Sequence, residues 1–156
     1  METNIRKATL SDLTDIQKFT DFWLAGRGKR VNAPGATNDC FISPSQHTKY
    51  IQKYTTFLMF TGKILAGWAV TQNNGALIHF LIAGNYREQG LGHKLLKHVS
   101  PLMIHSKSNQ QSGNPGPFYE KLGYTKIESR KSHSRLDIDK IRPNRPKVID
   151  IYAKIA

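Results

Sequence analysis

Leu81-Ile82-Ala83-Gly84-Asn85-Tyr86-Arg87-Glu88-Gln89-Gly90-Leu91-Gly92-His93-Lys94-Leu95-Leu96 is the stretch in which the hydrophobic rhythm of the chain changes. Up to Ala83 the apolar residues run together as in a buried strand. From Leu91 onward, Leu91, Leu95, Leu96 and Val99 recur at the spacing of one helical face. A strand therefore ends at Ala83 and a helix opens at Leu91, with Gly90 and Gly92 at the junction. The first N–H groups of a helix have no intrahelical acceptor, and the helix dipole adds partial positive charge there. Such a junction holds a pyrophosphate by backbone donors, and glycines keep Cβ atoms out of its way. The string Arg-x-x-Gly-x-Gly alone is also what an ordinary glycine-rich turn produces. Its position between a buried strand and an amphipathic helix is what gives it weight.

Upstream, Thr55–Phe60 and Ile64–Thr71 are β-rich runs joined by Thr61-Gly62-Lys63, and Asn73-Asn74-Gly75 turns the chain into Ala76–Ala83. Three consecutive antiparallel strands follow from that pattern. Before them, Ile5–Thr9 reads as an opening strand. Ser11 or Asp12 then caps a helix that buries Leu13, Ile16, Phe19, Trp23 and Leu24. Gly26–Asn38 reads as loop with a basic cluster from Arg27 to Arg30, and Ser43-Pro44 starts a second helix running towards Tyr54. Downstream, Pro101 ends the third helix, and Leu102–His105 reads as a short strand in a run too compact for a full one. Phe118–Leu122 gives one or two helical turns stopped by Gly123, and Tyr124–Ser129 and Val148–Ala153 read as closing strands.

The chain has 156 residues, the size of one domain spanning 1–156, and its 38% hydrophobic content is enough for one core. No apolar run approaches the roughly 20 residues that cross a bilayer. The N-terminus lacks the basic-then-apolar pattern of a signal peptide. Cys40 is the lone cysteine, which fits a reducing compartment. A cytoplasmic protein with no membrane partner is expected, as monomer or homodimer. The six histidines are scattered and suggest no metal site. Net charge is +12, which draws polyanions. A phosphate-bearing cofactor accounts for part of it. It does not account for Arg130–Lys147, which holds seven basic residues against Asp137 and Asp139, a net of +5. That stretch is either a solvated loop or a surface for a nucleic acid or other polyanion.

With these residues in place, the chain resembles the GCN5-related N-acetyltransferase (GNAT) superfamily. Leu81 to Leu96 resembles that family's acetyl-CoA motif, and Phe118-Tyr119-Glu120-Lys121-Leu122-Gly123-Tyr124 resembles its second signature. The opening Ile5–Leu13 and the closing Val148–Tyr152 resemble the family's first strand and last strand. The resemblance implies a mixed α/β (α+β) fold, a mostly antiparallel central sheet of six to seven strands flanked by about four helices. It implies an enzyme that moves an acetyl group directly from acetyl-CoA to an amine, with no metal. Leu81, Ile82 and Ala83 would lend backbone groups to the pantetheine arm. Arg87, Glu88, Gln89, Gly90, Leu91 and Gly92 would hold the pyrophosphate. Tyr119 matches the tyrosine that protonates the leaving thiolate. Asn114 lies nearer Tyr119 than the asparagine of the family pattern.

Direct transfer needs a proton acceptor for the amine and a donor for the sulfur. The strand before the phosphate loop carries no carboxylate, and His79 is its single titratable side chain. An unperturbed imidazole has a suitable pKa, so His79 is either the base or a packed histidine. Tyr119 is likewise either the acid or an aromatic packing the short helix on the sheet. Cys40 is better read as a buried thiol than as a nucleophile. Beside the acetyltransferase stands a second class of function: a GNAT-fold enzyme that modifies tRNA or DNA, or a nucleic-acid-binding protein on that fold, using residues 130–147.

Overall fold

The β-rich middle of the sequence folds as a meander because each of its runs is closed by a tight turn. β2 (Thr55–Thr61), β3 (Ile64–Thr71) and β4 (Ala76–Ile82) pair antiparallel in chain order. In the computed structural model, which describes residues 2–24, 42–86, 89–107, 115–131 and 148–154, β1 (Thr3–Lys7) lies on the outer side of β2. β1 begins two residues earlier than its apolar residues suggest, since its register runs from Thr3 opposite Thr61 to Lys7 opposite Phe57. β5 (Met103–Lys107) is longer than the compact run predicted, because it gains partners on both sides. β6 (Tyr124–Lys131) and β7 (Val148–Lys154) complete a seven-stranded sheet of order β1-β2-β3-β4-β5-β7-β6. Only β4 and β5 are parallel, so the sheet is mixed and mostly antiparallel, as expected.

Among the described residues four α-helices cover the two faces: α1 (Leu13–Trp23), α2 (Pro44–Lys53), α3 (Leu91–Val99) and α4 (Gly116–Lys121). α2 starts where its residues dictate: Pro44 fits the first turn, and the Ser43 hydroxyl accepts the Gln46 N–H at 3.2 Å. Successive strand side chains point to opposite faces. Trp68 of β3 therefore meets α2 through His47, their rings 5.7 Å apart. Its neighbour Gly67 faces the other way, towards Ile82 and Leu95 of α3. Trp68, Leu58, Met59, Leu77, Leu95, Leu96 and Ile104 are fully buried between these layers. Truncating a buried leucine such as Leu95 to alanine costs about 2–5 kcal/mol.

Among the polar residues buried with the core, Asp12 and His47 are each held by local geometry. Asp12 does not cap α1 as its position suggested. It turns back instead, pairing with Arg6 at 2.8 Å and 2.9 Å and accepting the Thr9 N–H at 2.8 Å. The two-pronged guanidinium offers charge-assisted bonds that a helix N–H cannot match. His47, 1% exposed, sits 2.9 Å from the Thr20 hydroxyl. That hydroxyl also lies within hydrogen-bond reach of the Ile16 carbonyl at 3.1 Å, and a hydroxyl that donates there accepts from Nε2 of a neutral ring.

These two groups make acid unfolding a two-step matter. Burial holds the His47 pKa down at about 4 from 6.5, so its contribution is complete above pH 6.5 and is lost as pH falls towards 4. The Arg6 hydrogen bonds hold Asp12 at about 2 from 3.8, so its contribution is complete above pH 3.8 and is lost as pH falls towards 2. Denaturant unfolding across pH should show a first decline of roughly 1–3 kcal/mol between pH 6.5 and 4. The second, below pH 4, should be smaller because Arg6 is half in solvent. His47→Gln should remove the first decline and Asp12→Asn the second. Flat stability from pH 7 to 4.5 in the parent protein would contradict the buried neutral imidazole.

Candidate active site

β4 and β5 are paired over two positions only, Ala76 opposite Met103 and Leu77 opposite Ile104. Beyond Leu77 no register joins them, and the middle of β4 (Ile78, His79 and Phe80) is only partly buried although the strand is central. Among the described residues no strand pairs with that side of β4 over the residues that precede the glycine junction. Antiparallel pairing alternates which residues bond to the neighbour. The Ala83 N–H donates to Ala66 O at 2.8 Å, and with the register Trp68 opposite Leu81 and Val70 opposite His79 this fixes the pattern. Ala83, Leu81 and His79 turn their backbone groups to β3. Phe80 and Ile82 turn theirs towards β5, and Ile78 is the extra residue where the register shifts between Val70 and Thr71. Of the three residues expected to offer backbone groups, Ile82 alone is on the side facing β5. Phe80, which sequence reading passed over, joins it.

At the C-terminal end of β4 a single 3-10 turn, Gly84–Tyr86, leads towards α3. Lys94 is the first residue of α3 whose N–H finds an intrahelical acceptor, Gly90 O at 3.1 Å. The N–H groups of Leu91, Gly92 and His93 are left at the helix mouth. The two glycines do different things there. Gly90 has φ +78°, the left-handed region, and a Cβ on it would meet nothing within 4 Å. It is needed for its backbone angle and leaves the approach to the helix open. A Cβ on Gly92 would lie 3.2 Å from Phe118 Cζ and 3.5 Å from Ile82 Cγ1, so Gly92 lets α3 close on β4 and α4. Gln89 is exposed and donates to Asn85 O at 3.4 Å. Arg87 and Glu88 lie outside the described residues.

Aromatic rings flank the opening on both faces. On the α3–α4 face Phe80 stacks on Phe118 at 5.8 Å, and Tyr119 meets Phe80, Phe118 and Tyr152 at 6.5, 5.6 and 5.5 Å. Tyr119 is 5% exposed, and burial, with Tyr152 beside it, pushes its pKa well above the ordinary phenol value. On the α1–α2 face His79 stacks on Trp68 at 5.1 Å, and its Nε2 lies 3.1 Å from the Tyr50 hydroxyl. Tyr50 in turn stacks on Tyr54 at 6.0 Å. The two predicted catalytic side chains thus belong to opposite faces of the sheet, each beside the open middle of β4. Tyr50 was not legible as a site residue: only α2 docking on the sheet brings it to His79, 29 positions away.

Several sequence candidates fall elsewhere. Cys40, Asn114, the cluster from Arg27 to Arg30 and residues 132–147 lie outside the described residues. Arg130 and Lys131 of the basic stretch are exposed at the end of β6. His93 is exposed, and His98 packs edge-on to Phe57 at 5.9 Å. Among the described residues no group of three His, Cys, Asp or Glu could hold a metal, and no helix is long and apolar enough to cross a membrane.

Comparison with known proteins agrees with this geometry. Residues 27–138 match the family described as an acetyltransferase (GNAT) domain. No curated protein sequence matches the chain significantly. Among solved structures, the chain is similar to the ribosomal-protein-S18-alanine N-acetyltransferase of Escherichia coli, with TM-score 0.66, 16% identity, and 99% of this chain and 96% of that one covered. It is equally similar to Arabidopsis thaliana Naa50 in complex with the bisubstrate analogue CoA-Ac-MVNAL, with TM-score 0.66, 15% identity and full coverage of both chains. N-acetylglutamate synthase of Neisseria gonorrhoeae, complexed with coenzyme A and N-acetyl-glutamate, matches with TM-score 0.62 and 14% identity over all of this chain and 36% of that one. The family match covers most of the chain: the chain belongs to the GNAT acetyltransferase family.

Proposed function

We propose that the protein transfers an acetyl group from acetyl-CoA directly to an amine, with the transfer taking place at the open middle of β4. The observation that carries this reading is that one strand leads to both donor sets. Phe80 of β4 turns its backbone groups towards β5, and the chain runs on from β4 through Gly84–Tyr86 to the first N–H groups of α3, on Leu91, Gly92 and His93. One long ligand with an amide-bearing arm and a pyrophosphate would use both, the arm along the strand edge and the phosphates at the helix mouth. Acetyl-CoA has that shape and supplies the activated acetyl group. Holding donor and amine in one cleft contributes proximity, often a large share of the acceleration.

The chain's own residues then have distinct tasks. The N–H of Phe80 meets charge that collects on the thioester oxygen. His79 accepts the proton that the amine must lose, and Tyr119 hydrogen-bonds to the departing sulfur and supplies its proton. A phenol as weakly acidic as buried Tyr119 keeps its proton at neutral pH, which suits a donor, but the same burial makes it a reluctant acid. The charge balance bears on the acceptor. A chain of net charge +12 repels polycations, so an amine carried on an anionic molecule, such as an acidic peptide or a nucleic acid, is favoured over a polyamine. The ribosomal-protein-S18-alanine N-acetyltransferase and the complex with the bisubstrate analogue CoA-Ac-MVNAL among its structural neighbours make peptides the first acceptors to try.

Mass spectrometry of acidic and basic free-amine peptides, polyamines and tRNA incubated with acetyl-CoA should show acetylated product. It should form fastest on acidic carriers at low salt and more slowly as salt is raised. Calorimetry showing no binding of acetyl-CoA or coenzyme A at millimolar concentration would end the acetyltransferase reading. Gly90→Val forces a β-branched residue into the left-handed region and should weaken acetyl-CoA binding by about tenfold or more. Unchanged affinity in a folded variant would put the phosphates elsewhere. Tyr119→Phe keeps the ring packing and should lower turnover by about tenfold to a hundredfold with acetyl-CoA affinity unchanged. Full activity would return Tyr119 to a packing role.

A further inference from the structure

Tyr50 of α2 and His79 of β4 meet across the helix–sheet interface, Oη 3.1 Å from Nε2 and ring centres 5.1 Å apart. The direction of that bond follows the tautomer of His79. A phenol has one hydrogen, and a buried phenol needs an acceptor for it. Tyr50 is 9% exposed, and among the described residues its hydroxyl has one hydrogen-bond partner, Nε2 of His79. A phenol that donates to Nε2 meets that need inside the protein. Nε2 then holds the lone pair and the neutral ring carries its hydrogen on Nδ1. In that arrangement the Tyr50 hydroxyl covers the Nε2 lone pair, and a proton reaches Nε2 by way of the Tyr50 oxygen.

We propose that the acceptor amine gives up its proton through Tyr50, which takes it on Oη while passing its own hydroxyl hydrogen to Nε2 of His79. This rests on the reading of His79 as the proton acceptor and names the group that touches the substrate. The balance is simple. One N–H bond of the ammonium breaks and an O–H bond forms on Tyr50; the original O–H bond breaks and an Nε2–H bond forms. The amine ends neutral with a free lone pair, Tyr50 ends as it began, and His79 ends as imidazolium. No other reactant is involved.

The surroundings suit a relay and not a store of charge. Burial, reinforced by neighbouring Tyr54, raises the pKa of Tyr50, so a phenolate does not persist and the two transfers are coupled. Trp68 stacks on His79 and offers its π face to the imidazolium. His47 touches both Tyr50 and Trp68 but is held neutral down to about pH 4, so it adds no competing charge. The nearest cation in the row of rings is Lys49, seated 5.5 Å over Tyr54, one ring away from Tyr50.

The test has two arms. Nitrogen NMR of the folded protein without any ligand reads the tautomer of His79. Hydrogen on Nδ1 is expected, and in Tyr50→Phe the imidazole pKa should rise by about half a unit to one unit as the donor to Nε2 is lost. Hydrogen on Nε2 in the parent protein overturns the relay. The second arm measures acetyl-CoA turnover with an equimolar pool of free-amine peptides and monoamines for Tyr50→Phe, His79→Gln and the double variant, with unfolding temperatures as the fold control. Each single variant should lose about a hundredfold and the double no more than either, since the two groups act as one unit. If His79→Gln is slow and Tyr50→Phe is not, the relay falls and His79 remains the base. If His79→Gln is as active as the parent protein, the base reading fails and the relay with it.

Discussion

The parallel contact between β4 and β5 lasts for two residues, and nearly everything of interest in the molecule follows from its brevity. Continued pairing would have carried the ladder past Leu77 and Ile104 and closed the centre of the sheet. Because the strands part there, a gap lies along the middle of β4. Rings from both sides narrow it: Phe80, Phe118 and Tyr119 on one face, His79, Trp68 and Tyr50 on the other. What remains is a slot with polar backbone along one wall.

Much of this was legible in the sequence where local rules govern. α3 and β3 have the limits their periodicity dictates, Leu91–Val99 and Ile64–Thr71, and Ser43-Pro44 starts α2 as its capping chemistry requires. The glycine junction was legible too, because it depends on neighbours a few residues apart. The division of labour within it was not: Gly90 serves a backbone angle and Gly92 serves packing against Phe118, a residue 26 positions away. Likewise the alternation that takes Leu81 and Ala83 out of the open edge depends on the register with β3, which no single strand encodes. Asp12 was misread for the same reason. A capping residue was expected to look forward along its helix, and an arginine six residues back supplied a stronger partner.

The two histidines of the α1–α2 face show how one side chain acquires opposite characters from its hydrogen-bond partner. His47 faces a threonine hydroxyl that also reaches the Ile16 carbonyl, and burial keeps the ring neutral in a core position. His79 faces a phenol, a partner able to hand a hydrogen to the ring. The two partners separate a packing histidine from one fitted to receive a proton.

The strand order carries a consequence for synthesis. β1 to β4 pair in chain order and can assemble as each emerges, through contacts close in sequence. β7 instead lies between β5 and β6, both of which precede it. Until Val148–Lys154 has left the ribosome, neither β5 nor β6 has the neighbour that each shares with it, and the half of the sheet beyond β4 cannot consolidate. A nascent chain arrested just short of that strand would expose one edge of β5 and a β6 with no strand beside it, the kind of surface that recruits chaperones.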